Sequence, residues 1–297
     1  MPIRIAKVLR PCSWRAGLEG SHAGEGRSAT KVRIEDAVGL VTKQISPEFK
    51  GMLALPEQLE VWAIDSGIRH FVSGSDYRTL RAATFMGYRI IADMVGLPVR
   101  RCGRRGQVYI DDSKWKGYLA NVTPEEFEQE FAARIPERLT GREFLDRYQG
   151  ITDVVTCVDP TAEYPVGQAT RHPIYDHSRV NGFASMLKDW RGLEQAPALG
   201  ELMFESHESY SACGLGSPGT DELVRLVKHA GGDGLYGARI SGGGSGGAVA
   251  ILGRRGATHA IEAIAKHYQK QTGYQPAIIS GSSPGARAFG HLRLTRN

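Results

Sequence analysis

Nothing in these 297 residues builds a disulfide framework or a zinc site. The four cysteines, Cys12, Cys102, Cys157 and Cys213, lie far apart, with no C-x-x-C pair and no zinc-type spacing. They read as reduced thiols of a cytosolic protein. No apolar run approaches the roughly 20 residues that span a bilayer, and the charged N-terminus lacks the apolar stretch of a secretory signal. The expectation is therefore a cytoplasmic chain with no membrane partner. Charge is only mildly one-sided: 37 Lys and Arg against 32 Asp and Glu give a net +5, spread along the chain. Solvated surface charge accounts for that excess, and no nucleic-acid partner is expected. Hydrophobic content of 41% and charged content of 23% are those of a globular protein with length enough for one large or two ordinary domains.

What the sequence has in excess is glycine at one place. Gly237–Gly247 reads Gly-Ala-Arg-Ile-Ser-Gly-Gly-Gly-Ser-Gly-Gly, and an apolar run, Ala248–Leu252, follows at once. Gly242, Gly244 and Gly247 satisfy G-x-G-x-x-G, but a dinucleotide site needs a helix after the glycines to hold the pyrophosphate. Ala248–Leu252 is short, apolar and closed by Gly253, the signature of a buried strand. Tyr236–Ile240 also reads as a strand. The loop is thus expected to join two strands, which excludes the dinucleotide fold. A bulged hairpin without a ligand is the plain alternative.

Taken in order, residues 1–46 carry eight basic side chains (Arg4, Lys7, Arg10, Arg15, Arg27, Lys31, Arg33, Lys43) against four carboxylates, with Gly17, Gly20, Gly24 and Gly26 interrupting any helical period. They read as a basic, mobile tail. Leu59–Asp65 reads as a strand ending on an acid, and 78–95 has a helical rhythm with Leu80, Ala83, Phe85, Met86, Ile90, Ile91 and Met94 toward one face. Thr123-Pro124-Glu125-Glu126 predicts a helix start, with Thr123 as N-cap, Pro124 at N1 and Glu126 completing a capping box. Helices are expected from Ile174 to Asp189, Leu199 to Cys213, Asp221 to Lys228 and Ala257 to Thr272, and strands at Pro276–Ser280 and Gly290–Leu294. Arg171 and His172 precede the first of these, where a charged ligand could be met.

Several motifs then fall in one order: Asp65-Ser66-Gly67-Ile68-Arg69-His70, Asp76-Tyr77 and a helix; Gly141–Tyr148; Leu202–Ser209; Gly216–Val224; the glycine loop; and Ser280–Ala286. Over about residues 50–297 this order resembles the C-terminal half of GHMP kinases, most closely the galactokinase and L-arabinokinase type. The resemblance implies an α+β protein, the C-terminal half of a GHMP kinase fold, with segment 47–195 from the kinase N-terminal and middle region and 196–297 as a ferredoxin-like C-terminal domain. It also implies that Tyr77 contacts a monosaccharide, the alternative being a tyrosine that caps or packs the helix start, with Asp65 and Arg69 as further substrate candidates or, alternatively, as groups that fix the loop; His70 is assigned the fixing role. Gly242, Gly243, Gly244, Ser245, Gly246 and Gly247 would support the nucleotide loop. The parent reaction converts ATP and a monosaccharide to a sugar 1-phosphate and ADP, with Mg2+.

Three further pieces of that family are not found in the sequence: an early motif with an arginine and sugar-binding acids, a Gly-Leu-Ser-Ser-Ser-like phosphate loop opening a helix, and a Gly-x-Met-Asp-Gln-like segment carrying the base. Phosphoryl transfer depends on positioning and charge neutralisation around the transferred group. No catalytic residue and no metal ligand is therefore assigned, and the chain is expected to be inactive alone. The alternatives are a non-catalytic binding protein that pairs with a separate N-terminal half, and an inert truncated product.

Overall fold

The structure, a computed structural model, describes residues 53–69, 75–102 and 106–281; Ser75 and Asp76 are described for their backbone only. The expected tail 1–46, His70, the 282–286 part of the last motif and the strand expected at 290–294 lie outside these residues.

The centre of the molecule is a four-stranded antiparallel sheet. Its strands are β1 (Leu59–Asp65), β7 (Leu235–Ile240), β8 (Ala248–Arg254) and β9 (Ile278–Ser280), in the order β7-β8-β1-β9. Between β1 and β7 the chain makes a crossover ending in helix α5 (Pro218–His229), and between β8 and β9 it forms α6 (Thr258–Thr272). Two βαβ units interleaved in this order are the ferredoxin-like split βαβ arrangement. The sheet therefore takes an inner strand from residues 59–65, far upstream of residue 196, and everything from 75 to 212 sits inside its first crossover.

Alternation along β1 explains why the sheet is covered on both sides. Trp62 and Ile64 enter one core with Val249, Ile251, Leu223, Val227, Ile261 and Tyr268, beneath α5 and α6. Leu59 and Val61 face the other way, toward a core with Phe183, Leu187, Leu199, Met203 and Leu252. That second core is supplied by α3 (Val166–Lys188) and α4 (Ala196–Ala212). Contact between α4 and β7 is very close. A Cβ on Gly200 would lie 1.8 Å from the Tyr236 carbonyl oxygen, and one on Gly237 would lie 2.3 Å from the Gly200 Cα.

The remaining residues form a helical layer around α1 (Ser75–Met94), with the short strands β2 (Val99–Arg101), β3 (Gly106–Ile110), β4 (Leu139–Thr140), β5 (Gly150–Ile151) and β6 (Glu163–Tyr164) and helix α2 (Gly141–Tyr148). Its core gathers Phe85, Tyr88, Trp115, Phe127, Phe131 and Phe144, and reaches the α4–α5 corner at Leu215 and the sheet at Ile240.

Two local expectations are corrected here. The helix expected from Ile174 begins at Val166 and runs through Pro173. A mid-helix proline forfeits one hydrogen bond and crowds the preceding turn. Burial of Val166, Ala169 and Thr170, with Thr170 Oγ1 donating to the Val166 carbonyl at 2.7 Å, offsets that cost. At Thr123 only half of the capping box forms. The Thr123 side chain accepts from the Glu126 amide at 3.1 Å, but the Glu126 carboxylate turns to Trp115 Nε1 at 3.1 Å and to Lys114. Complete capping boxes are found at α2, between Thr140 and Glu143, and at α5, between Ser217 and Thr220.

Because α4 and β7 leave no room for a methyl group, Gly200→Ala is expected to destabilise the protein by about 2 kcal/mol or more in urea unfolding. Gly232→Ala, where an added Cβ meets nothing within 4 Å, should stay within about 0.5 kcal/mol of the parent.

Candidate functional site

Residues 241–247 join β7 to β8 as a hairpin loop, as the dinucleotide exclusion required. Ser241 N donates to the Ala248 carbonyl at 2.8 Å, closing the base of the hairpin. The loop is then gripped from two sides. On one, the Gly247 carbonyl accepts from both Ser66 N, at 2.9 Å, and Ser66 Oγ, at 2.6 Å, while Gly247 N donates to the Ile68 carbonyl at 3.0 Å. On the other, Ser245 N donates to the Leu215 carbonyl at 2.5 Å, at the corner between α4 and α5. The glycines are needed for this fit. Gly244 has φ 87° and a Cβ there would meet the Leu215 oxygen at 2.6 Å; Gly246 has φ 128° and its Cβ would meet the Ile68 oxygen at 2.6 Å.

The turn that clasps the loop is the one carrying Asp65 and Arg69. Asp65 Oδ1 accepts from Gly67 N at 3.1 Å, and Oδ2 accepts from the Tyr274 hydroxyl at 2.7 Å. That hydrogen bond to Asp65 raises the Tyr274 hydroxyl above the usual tyrosine range, with burial adding to it. Tyr268, from α6, donates to the Ser66 carbonyl at 2.8 Å. Both Asp65 oxygens thus hold the turn, whereas Arg69 is exposed. The structure joins the Asp65–Ile68 turn and the glycine loop into one hydrogen-bonded unit.

Tyr77 stands in the helical layer, half-buried near the start of α1 and packed against its core. One turn on, Arg81 hydrogen-bonds Tyr77 and forks onto Asp153, with Nε at 2.7 Å from Oδ2 and Nη2 at 2.9 Å from Oδ1. Asp153 is fully buried and also accepts from Thr156 Oγ1 at 2.6 Å. Burial alone would push its carboxyl up, but Arg81, Thr156 and the Val155 amide hold it below the usual range. Tyr77 is therefore anchored through a charged pair whose outer member is 12% exposed and whose inner member is not exposed at all.

Arg171 and His172 turn out to be engaged within the protein. Arg171 pairs with Glu137 at 2.6 Å. His172 Nδ1 lies 2.7 Å from Ser209 Oγ, its ring stands edge-on to Tyr210, and burial lowers its pKa. Next to it lies a polar cluster for which sequence reasoning gave no expectation: Asp176 from α3 bonds Ser206 and faces Arg239 of β7 at 3.9 Å, while Arg239 stacks on Tyr210 at 5.2 Å. The available signal was a lone arginine inside an otherwise apolar strand. Among the described residues, no group of three or more His, Cys, Asp or Glu is arranged to hold a metal ion.

Residues 191–270 of the chain match the family model described as GHMP kinases C terminal. More particularly, it is similar to sugar kinases. It is 39% identical over 270 residues to L-arabinokinase of Arabidopsis thaliana, covering 84% of this chain and 26% of that protein. It is 24% identical over 226 residues to galactokinase of Thermosipho africanus (strain TCF52B), covering 75% of this chain and 47% of that protein. Among solved structures, Lactococcus lactis galactokinase complexed with galactose shares the fold at a TM-score of 0.53 and 16% identity, over 77% of this chain and 47% of that one. The chain thus spans about a quarter of the arabinokinase and about half of the galactokinases. Among the described residues, no helix is long and apolar enough to cross a membrane.

The Arg81–Asp153 pair generates a pH prediction. A carboxyl held low in the folded state contributes stability above its unfolded pKa and loses it as pH falls through the folded value. Relative to Asp153→Asn, the parent protein should be about 3 kcal/mol more stable above about pH 5. That advantage should shrink below about pH 4, as read from paired urea titrations.

Proposed function

We propose that this chain supplies the C-terminal half of a GHMP-type sugar kinase, whose full reaction is ATP plus a monosaccharide to sugar 1-phosphate and ADP with Mg2+. The observation that carries the reading is the glycine loop locked onto the Asp65–Ile68 turn, inside a ferredoxin-like sheet of a chain similar to sugar kinases. In this reading Tyr77 offers its hydroxyl to the sugar, aligned by Arg81 and Asp153. Asp65 shapes the substrate-side turn, and exposed Arg69 faces an anionic group of the ligands. Gly242–Gly247 braces the wall of the nucleotide pocket.

The phosphate-wrapping loop and the base come from a polypeptide segment outside these 297 residues. Phosphoryl transfer is almost wholly positioning and electrostatic stabilisation, so the chain by itself holds ligand without turning it over. A reading as an interaction protein that pairs with a separate half is favoured by one observation: Val154, Val155 and Tyr109 are 60%, 58% and 55% exposed. Exposed apolar side chains seek partners where they form a patch, and light scattering after size exclusion would distinguish a self-contained monomer from a chain that associates.

Isothermal titration with galactose and with L-arabinose tests the sugar site. Tyr77→Phe, which keeps the packed ring but loses the bond from Arg81, should weaken binding of the preferred sugar by about tenfold while lowering the thermal midpoint by no more than a few degrees. In a coupled ADP-release assay the purified chain should stay at background. Turnover at ordinary kinase rates would refute the division of labour.

A further inference from the structure

The glycine loop leaves β7 at Ile240, and the last amide of that strand is held by a side chain. Ile240 N donates to His207 Nδ1 at 3.3 Å. The opposite ring nitrogen, Nε2, lies 3.1 Å from Asp221 Oδ1 on α5. Since the amide can only donate, Nδ1 must present its lone pair, which leaves the proton on Nε2 to bond the carboxylate. Asp221 is fixed in turn by Ser211 Oγ of α4, at 2.9 Å. The His207 side chain is 6% exposed, so its ring is a buried connector between the loop's point of departure and the α4–α5 corner. That same corner, through Leu215, also receives the Ser245 amide.

We propose that His207 is the positioning residue of the glycine loop: its neutral ring ties the Ile240 amide to Asp221 and fixes where the chain leaves β7, and its protonation frees that point. A second proton would occupy the lone pair that Ile240 uses, so two donors would face each other in a buried space. The charged groups around the ring are Asp221 from α5, Arg239 from β7 and Glu208 on its own helix. Burial opposes charging of the ring and outweighs the pull of Asp221, so the neutral form persists below the ordinary histidine range. The loop is accordingly clamped at neutral pH and released in acid. This inference deepens the reading of the loop as the brace of a nucleotide pocket and takes its functional meaning from it.

The test needs no ligand, which separates its failure from failure of the kinase reading. Amide hydrogen exchange of the full chain is followed by mass spectrometry between about pH 4 and 8, corrected for intrinsic rates, for the parent protein, His207→Phe and His207→Asn. Phenylalanine keeps the ring and loses both polar atoms. Asparagine places an oxygen where Nδ1 stood. In His207→Phe, peptides spanning 240–247 should exchange about tenfold faster while α1 and β2–β3 stay within about twofold. His207→Asn should return the loop to within about threefold of the parent. The parent's loop exchange should rise as pH falls, and neither variant should show that rise. Unchanged loop protection in His207→Phe, an equal loss across the whole chain, or a pH rise persisting in His207→Asn would each overturn the proposal. Should His207→Phe fail to fold, the pH profiles of parent and His207→Asn decide alone.

Discussion

The register of β1 against β8 governs this protein. Leu59 lies opposite Arg254 and Asp65 opposite Ala248, so the end of β1 arrives beside the end of the glycine loop. That placement lets Ser66 give two hydrogen bonds to the Gly247 carbonyl and lets Gly247 return one to Ile68. Side chains alternate with a period of two along a strand, so a one-residue slip would turn Trp62 and Ile64 out of their core and carry the turn away from the loop. Burial of Trp62, at 1% exposure, and of Ile64, at 0%, is thus what sets the geometry of the candidate site.

Around this clasp the structure uses charge in two ways. At Asp153 a buried carboxylate is satisfied from every side, by a forked arginine, a hydroxyl and two amides. Such a site holds an element at a fixed angle, here the start of α1 with Tyr77. At Asp176 and Arg239, by contrast, the separation of 3.9 Å is long for a hydrogen bond, and the pair is supported by Ser206 and by the Tyr210 ring. A buried pair of this kind contributes little net stability once desolvation is counted, but removing one member is costly. It specifies how α3, α4 and β7 meet more than it strengthens them.

Much of this was legible along the chain because it was written in local rules. Leu59–Asp65 forms a strand with the bounds read from the sequence, and the closing Gly253 correctly marked Ala248–Leu252 as strand rather than helix, although β8 runs on to Arg254. Local rules failed where a distant partner decided the outcome. Glu126 abandons its cap for the Trp115 indole and Lys114. Pro173 is tolerated because the turn before it is buried against another helix. The use of both Asp65 oxygens depends on Tyr274, 209 residues away, and no spacing rule links them. Nor does any rule for an apolar strand foretell that Arg239 will be buried at 1% exposure.

The interleaved sheet also governs how the molecule must assemble. Ser66 and Gly247 are 181 residues apart, and the whole helical layer is threaded between the strands they terminate. Closing so long a span costs entropy before any strand pairing repays it. The β7–β8 hairpin can form early, but its inner neighbour must be delivered from far upstream in the sequence. Until it arrives, the backbone of β8 offers an open edge of the kind that recruits foreign strands. A sheet whose strands lie so far apart along the chain therefore makes the last-docked strand the gatekeeper between the native state and aggregation.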